Sequence, residues 1–141
     1  MLYIWDIEKI IETTLRELNL DINCEFDNTL NVPMSYNLST NTIKFNYLQV
    51  NGYKSKIKIK ETEENFVKLI VYRMIGYHLG RNRIDLRTLL YGGEDQKEEL
   101  RAKIDEDSWE YGRKVVPEQL VESYDRVWEL DKRLLKNEIK G

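Results

Sequence analysis

The sequence predicts an α+β domain, a small antiparallel sheet packed with several helices, and three observations carry that prediction. The first seventeen or so residues repeat their apolar positions at three and four, the next twenty-five alternate apolar with polar, and from Thr62 onward the helical spacing returns and persists. No internal repeat, low-complexity segment or flexible linker interrupts the 141 residues, so the chain reads as one domain spanning 1–141.

From Ile4 to Leu20, residues Ile7, Ile10, Ile11, Leu15 and Leu18 form one apolar stripe, and Asp6 is placed to cap the first turn. Ile22, Cys24 and Phe26 then alternate with polar residues, as do Met34, Tyr36 and Leu38, and Ile43 with Phe45. With Ser39, Thr40 and Asn41 as a turn, these are three short antiparallel strands. In the tract Tyr53 to Lys60, Lys54, Lys56, Lys58 and Lys60 recur at a period of two, which would put every ammonium on one side of an edge strand if the tract is not a loop.

Thr62, followed by acidic residues, opens a helix carrying Phe66, Val67, Leu69, Ile70, Val71, Met74 and Ile75, apolar enough to be the central buried one. Asp85 caps a short helix through Leu90, and Gly92 and Gly93 suit a left-handed turn after it. The charged stretch Glu94 to Val116 keeps Leu100, Ile104, Tyr111 and Val115 at helical spacing. Pro117 fits the first turn of a final helix, 117–141, with Leu120, Tyr124, Val127, Leu134 and Leu135.

Composition excludes several classes. No apolar run reaches the roughly 20 residues of a membrane span, and the start lacks the pattern of a signal peptide, so a cytoplasmic location is expected. One cysteine and one histidine exclude a disulfide scaffold and a Cys/His zinc finger. A net charge of −3 argues against wholesale coating of DNA.

The segment Arg73-Met74-Ile75-Gly76-Tyr77-His78-Leu79, preceded by the strand Thr42-Ile43-Lys44-Phe45-Asn46, resembles the ImmA/IrrE family of zinc metallopeptidases. The matching family helix reads H-E-[LI]-G-H-x-L; Ile75, Gly76 and Leu79 are kept, while Arg73, Met74 and Tyr77 stand where the two histidines and the glutamate belong. Farther on, Asp105-Glu106-Asp107-Ser108-Trp109 leading to Val115-Val116-Pro117 is similar to the family's acidic-then-aromatic helix. Spacing from Pro117 matches Glu106 to the third zinc ligand, and Trp109 takes that place if the register slips by one. The resemblance spans the chain from the first helix to about Pro117 and implies a zincin-like architecture.

It also implies a vestigial site. Two histidines at i and i+4 reach one zinc, and the glutamate between them deprotonates the bound water. An arginine has no lone pair to give, a methionine takes no proton, and a tyrosine must ionise far below about 10 to bind metal well. His78 is rotated about 100° from Tyr77 and faces elsewhere. The expectation is a pseudoenzyme with neither metal nor cofactor. The cleft of Arg73, Met74, Tyr77 and Glu106 would be held by an ion pair from Arg73 to Glu106 or Asp105, the alternative being an ordinary surface pair.

The resemblance further implies a regulator of a prophage or mobile element that grips a protein partner, such as a helix-turn-helix repressor or another phage or host regulator. Two alternatives stay open from the residues themselves. One is an active peptidase with a metal site rebuilt from Glu106, Asp105 and His78. The other is a nucleic-acid module using Lys54, Lys56, Lys58 and Lys60 with Arg81, Arg83 and Arg87. The lysines equally suit a solvated guard against edge pairing, and aromatic residues are sparse among them, so nucleic acid is the less expected partner. His78 reads as a helix-end hydrogen-bonding residue ahead of a metal ligand, Cys24 as a small strand hydrophobe, and Trp109 and Trp128 as core ahead of a ligand platform.

Overall fold

The computed structural model describes residues 1–140, with side chains through Leu134, so the expected inward position of Leu135 lies outside the described residues. The first helix, α1 (Ile4–Glu17), starts where Asp6 accepts the Tyr3 backbone N–H at 2.9 Å. It buries Ile7, Ile11, Thr14 and Leu15. It is followed by β1 (Asn23–Phe26), β2 (Met34–Asn37) and β3 (Thr42–Phe45) in the spatial order β1-β3-β2.

The sheet is mixed, which corrects the expected antiparallel one. β2 and β3 pair antiparallel, with Tyr36 opposite Ile43, whereas β1 and β3 run parallel, with Cys24 opposite Ile43. The cause is the segment Asp27–Pro33. It crosses the end of β3, giving the Leu30 carbonyl to the Asn46 side chain (2.9 Å) and the Pro33 carbonyl to the Asn46 N–H (3.1 Å), and delivers β2 to the far edge. Only the β2–β3 connection is a hairpin; its Asn41 sits at φ 51° and holds the Asp21 carbonyl through its side-chain amide.

The lysine tract is neither strand nor loop throughout. Tyr47–Lys56 forms α2, capped by Asn46 Oδ1 on the Leu48 N–H, because Val50, Tyr53 and Ile57 recur at helical spacing and Val50 and Ile57 are buried. Lys54 and Lys56 therefore close a helix, while Lys58 and Lys60 follow in irregular backbone.

The central helix α3 (Glu63–Leu79) opens on Thr62, whose hydroxyl accepts the Asn65 N–H, and buries nine residues on nearly all sides. Asp85 caps α4 (Leu86–Tyr91) as expected. Gly92 and Gly93 correct the expectation of a left-handed turn: their φ values of −70° and −68° are ordinary extended backbone, and the Gly93 N–H instead donates to Gln96 at the start of α5 (Glu94–Arg113). Pro117 precedes a short 3₁₀ turn, so the last helix, α6, begins at Val121 and runs Val121–Lys140. The core lies where α1, the sheet and α5 close on α3. Among the described residues, no helix is long and apolar enough to cross a membrane.

Candidate functional site

The spacing of four places Arg73 and Tyr77 on one face of α3, and α5 lies against that face. The approach is close because Gly76 and Gly112 have no side chains. A methyl group at Gly76 would overlap the Ser108 carbonyl oxygen and lie 2.7 Å from the Gly112 nitrogen, and one at Gly112 would overlap the Tyr72 carbonyl. This contact sets Asp105 and Trp109 of α5 over Arg73.

Arg73, its side chain 18 % exposed, forms an ion pair with Asp105 through Nη2. Tyr77 Oη donates to the same Asp105 oxygen at 2.7 Å. The Arg73 guanidinium lies 4.5 Å from the centroid of the Trp109 ring, Trp109 stacks on Trp128 at 5.8 Å with planes 5° apart, and the Lys132 ammonium lies 4.7 Å from the centroid of Trp128. The result is a ladder of cation, indole, indole and cation that ties α3 through α5 to α6.

Around this floor opens a cleft of about 600 Å³. Met34, Ser35 and Tyr36 of β2 form one wall, Tyr53 of α2 another, and Asp131 and Leu134 of α6 a third. Tyr53 Oη donates to Asp131 Oδ1 at 2.6 Å, closing α2 on α6. Tyr36 Oη donates to Asn41 (2.7 Å) and so accepts from His78 Nδ1 at 3.0 Å, which pins β2 to the end of α3.

The charges follow from these contacts. Burial works against the Arg73 cation, yet the Tyr77 and Asp105 oxygens, with Asp131 and Tyr53, hold its pKa above the ordinary value. Burial raises the Tyr77 phenol, opposed by Arg73 and reinforced by Asp105, so it stays a neutral donor. Burial, then the neighbouring Asp131 charge, raises Tyr53 likewise. Cys24 is far from use as a nucleophile, since burial and then Glu8 and Glu12 push its thiol up to about 12.

Of the residues singled out in the sequence, Arg73, Met74 and Tyr77 meet in the cleft, with Met74 buried beneath it. Glu106 does not join them. It is exposed on α5, one residue and about 100° of rotation past Asp105, and Asp105 takes the ion pair. The seven basic residues are not one patch. Lys54 pairs with Glu63 at the start of α3, at 2.9 Å, and Lys58 and Lys60 border a groove shared with Glu122, Asp125 and Glu129. Arg81, Arg83 and Arg87 follow the opposite end of α3, about 25 Å away along a helix of 17 residues.

Tyr53, Asp131 and the free edge of β2 escaped the sequence reading, and Trp128, read there as core, was not tied to the cleft floor. The i, i+4 spacing of Tyr124 and Trp128 on the apolar stripe of α6 was the visible signal, but nothing local shows which helix that stripe meets.

Zinc does not fit this residue set. An arginine occupies the floor, the Tyr77 hydroxyl is a hydrogen-bond donor, and among the described residues no group of three or more His, Cys, Asp or Glu side chains is arranged to hold a metal ion. Protein purified with zinc in the buffer and then desalted is expected to carry far less than one zinc per chain by elemental analysis. One equivalent, lost on His78→Ala or Glu106→Ala, would establish a rebuilt site instead.

Two further outcomes are expected. Removing Asp105 leaves a mostly buried guanidinium without its counter-charge; since Asp105 is 42 % exposed, the loss is set below the full buried-pair value, at about 1–3 kcal/mol. A double-mutant cycle of Asp105→Ala with Arg73→Met by urea unfolding should return clear coupling, and no coupling would dismiss the pair as incidental.

For His78, burial and then Arg81 lower the pKa, so the folded state prefers the neutral ring. The unfolded chain binds this proton first. The stabilisation is therefore complete above the unfolded value of about 6.5 and is lost as pH falls through the folded one. The wild type should lose more stability than His78→Asn between pH 7.5 and pH 5; parallel profiles would contradict the assignment.

No family model, no curated protein and no solved structure matches the chain.

Proposed function

We propose that the chain is a catalytically inactive relative of the ImmA/IrrE metallopeptidases that works by holding a protein segment in this cleft. The observation that carries the reading is the free edge of β2. The Pro33 carbonyl bonds across to Asn46, so in an antiparallel ladder Ser35 and Asn37 also face β3, and the N–H and C=O groups of Met34 and Tyr36 point the other way, along the cleft. An extended segment added there gains main-chain hydrogen bonds and lays alternate side chains onto the aromatic floor.

The chemistry left in the cleft suits binding. Asp105, the carboxylate nearest the resembled catalytic positions, is engaged by Arg73 and Tyr77, and Tyr77 is protonated, so neither is a free base at those positions; Asp131, on the α6 wall, accepts from Tyr53. By the resemblance, the segment belongs to a regulator encoded by a phage, mobile element or host, such as a helix-turn-helix repressor.

The test is selection of peptides from a random displayed library on the purified protein, followed by N-methylation of each peptide position in turn. Binding should fall at every second residue, the signature of strand addition, and the bound peptide should stay intact. Uniform tolerance of N-methylation, no selected binders, or cleavage of the peptide would refute the reading.

A further inference from the structure

We infer that the cleft takes a lysine or arginine side chain of the bound segment, its cation set against the Asp131 and Asp105 carboxylates between aromatic walls. The inference rests on the segment-binding reading above and adds the chemistry of the residue recognised.

The balance of charge inside the cleft comes first. Its interior holds one guanidinium, Arg73, against two carboxylates, Asp105 and Asp131; Lys56, the other cation lining it, is exposed on the last turn of α2. Arg73 is answered by Asp105 at Nη2 and covered by Trp109; its Nε has no partner but is buried, and little of the side chain meets solvent. Asp105 is far more open, at 42 %. Among the described residues, Asp131 receives only the Tyr53 hydroxyl, on Oδ1. What a ligand meets is therefore acidic oxygen, and an aspartate or glutamate would face two like charges.

The walls fit the same class. Met34, Ile70 and Leu134 offer apolar surface to an aliphatic stem, and Tyr53, Tyr77 and Tyr36 offer rings to its charged end. A purely apolar anchor would cover Asp131 without giving it a second partner, whereas an ammonium or guanidinium supplies one.

Two probes test this. The first is a set of fluorescein-labelled, C-amidated octapeptides of threonine and valine that differ at one central position, carrying Lys, Arg, norleucine or Glu, measured by anisotropy. The second is n-butylammonium against n-butanol, followed by the Trp109 indole N–H in NMR titration. The Lys and Arg peptides should bind at least tenfold tighter than the norleucine peptide, and Asp131→Asn should shrink that ratio to within twofold. Asparagine still accepts from Tyr53, so the α2–α6 closure survives the substitution.

Equal binding of all four peptides, or the Glu peptide binding tightest, overturns the cation pocket while the edge-strand reading stands. If no peptide binds but butylammonium shifts Trp109, and Asp131→Asn abolishes the shift, the pocket stands and the strand reading falls. Silence of both probes overturns both.

Discussion

Gly76→Ala is expected to cost more than about 3 kcal/mol of stability and to abolish the folded state at moderate temperature. In a helix exposed to water the same change stabilises by about 0.8–1 kcal/mol, because alanine has the higher helix propensity. The sign reverses here because the new methyl group would overlap the Ser108 carbonyl and press on the Gly112 nitrogen, which are backbone atoms and cannot rotate aside. α5 would have to retreat from α3, and with it Asp105 and Trp109 from Arg73. Gly52 provides the control. It lies within α2, where an added methyl group would meet nothing within 4 Å, so Gly52→Ala should stabilise slightly. Urea unfolding of the two variants checks both signs; a mild effect at Gly76 would mean that α3 and α5 do not touch at this level.

Trp109→Ala is expected to cost about 3–5 kcal/mol. Its side chain is 2 % exposed, it packs edge-on to Tyr124 at 5.4 Å, and it is the rung between Arg73 and Trp128. Truncation removes the burial of a large ring and leaves the Arg73 guanidinium facing a void. It should also strip the near-ultraviolet circular dichroism of the stacked indoles, since the third tryptophan, Trp5, lies exposed on α1. Trp109→Phe keeps a ring under the guanidinium and should cost much less. Equal losses for Ala and Phe would contradict the account, since a ring under the guanidinium would then contribute nothing.

Local signals in the sequence carried most of the helices. Thr62 and Asp85 cap where their side chains can reach the next N–H groups, and the apolar coverage of Phe66 to Ile75 marks α3 as central before any contact is known. The sheet was legible strand by strand but not in its topology. Alternation at Cys24, Tyr36 and Ile43 says which residues face inward, whereas the crossing of Asp27–Pro33 over β3 depends on Asn46, a partner distant in sequence.

The cleft divides the same way. Arg73 and Tyr77 share a face by spacing alone, but whether α5 offers Asp105 or Glu106 depends on a rotation of one residue that only packing fixes. Lys54 to Lys60 misled because a period of two in the lysines concealed a helical period in Val50, Tyr53 and Ile57.

On the function proposed above, this cleft, lined by the edge of β2 and floored by Arg73, Asp105 and Trp109, holds an extended protein segment without cutting it. Amide-resolved NMR during titration with a library-selected peptide tests it most directly. The Met34 and Tyr36 amides and the Trp109 indole should shift together and saturate at one equivalent, with the peptide intact after a day in the presence of zinc. Shifts confined to Lys54–Lys60 or Arg81–Arg87, or hydrolysis of the peptide, would contradict it.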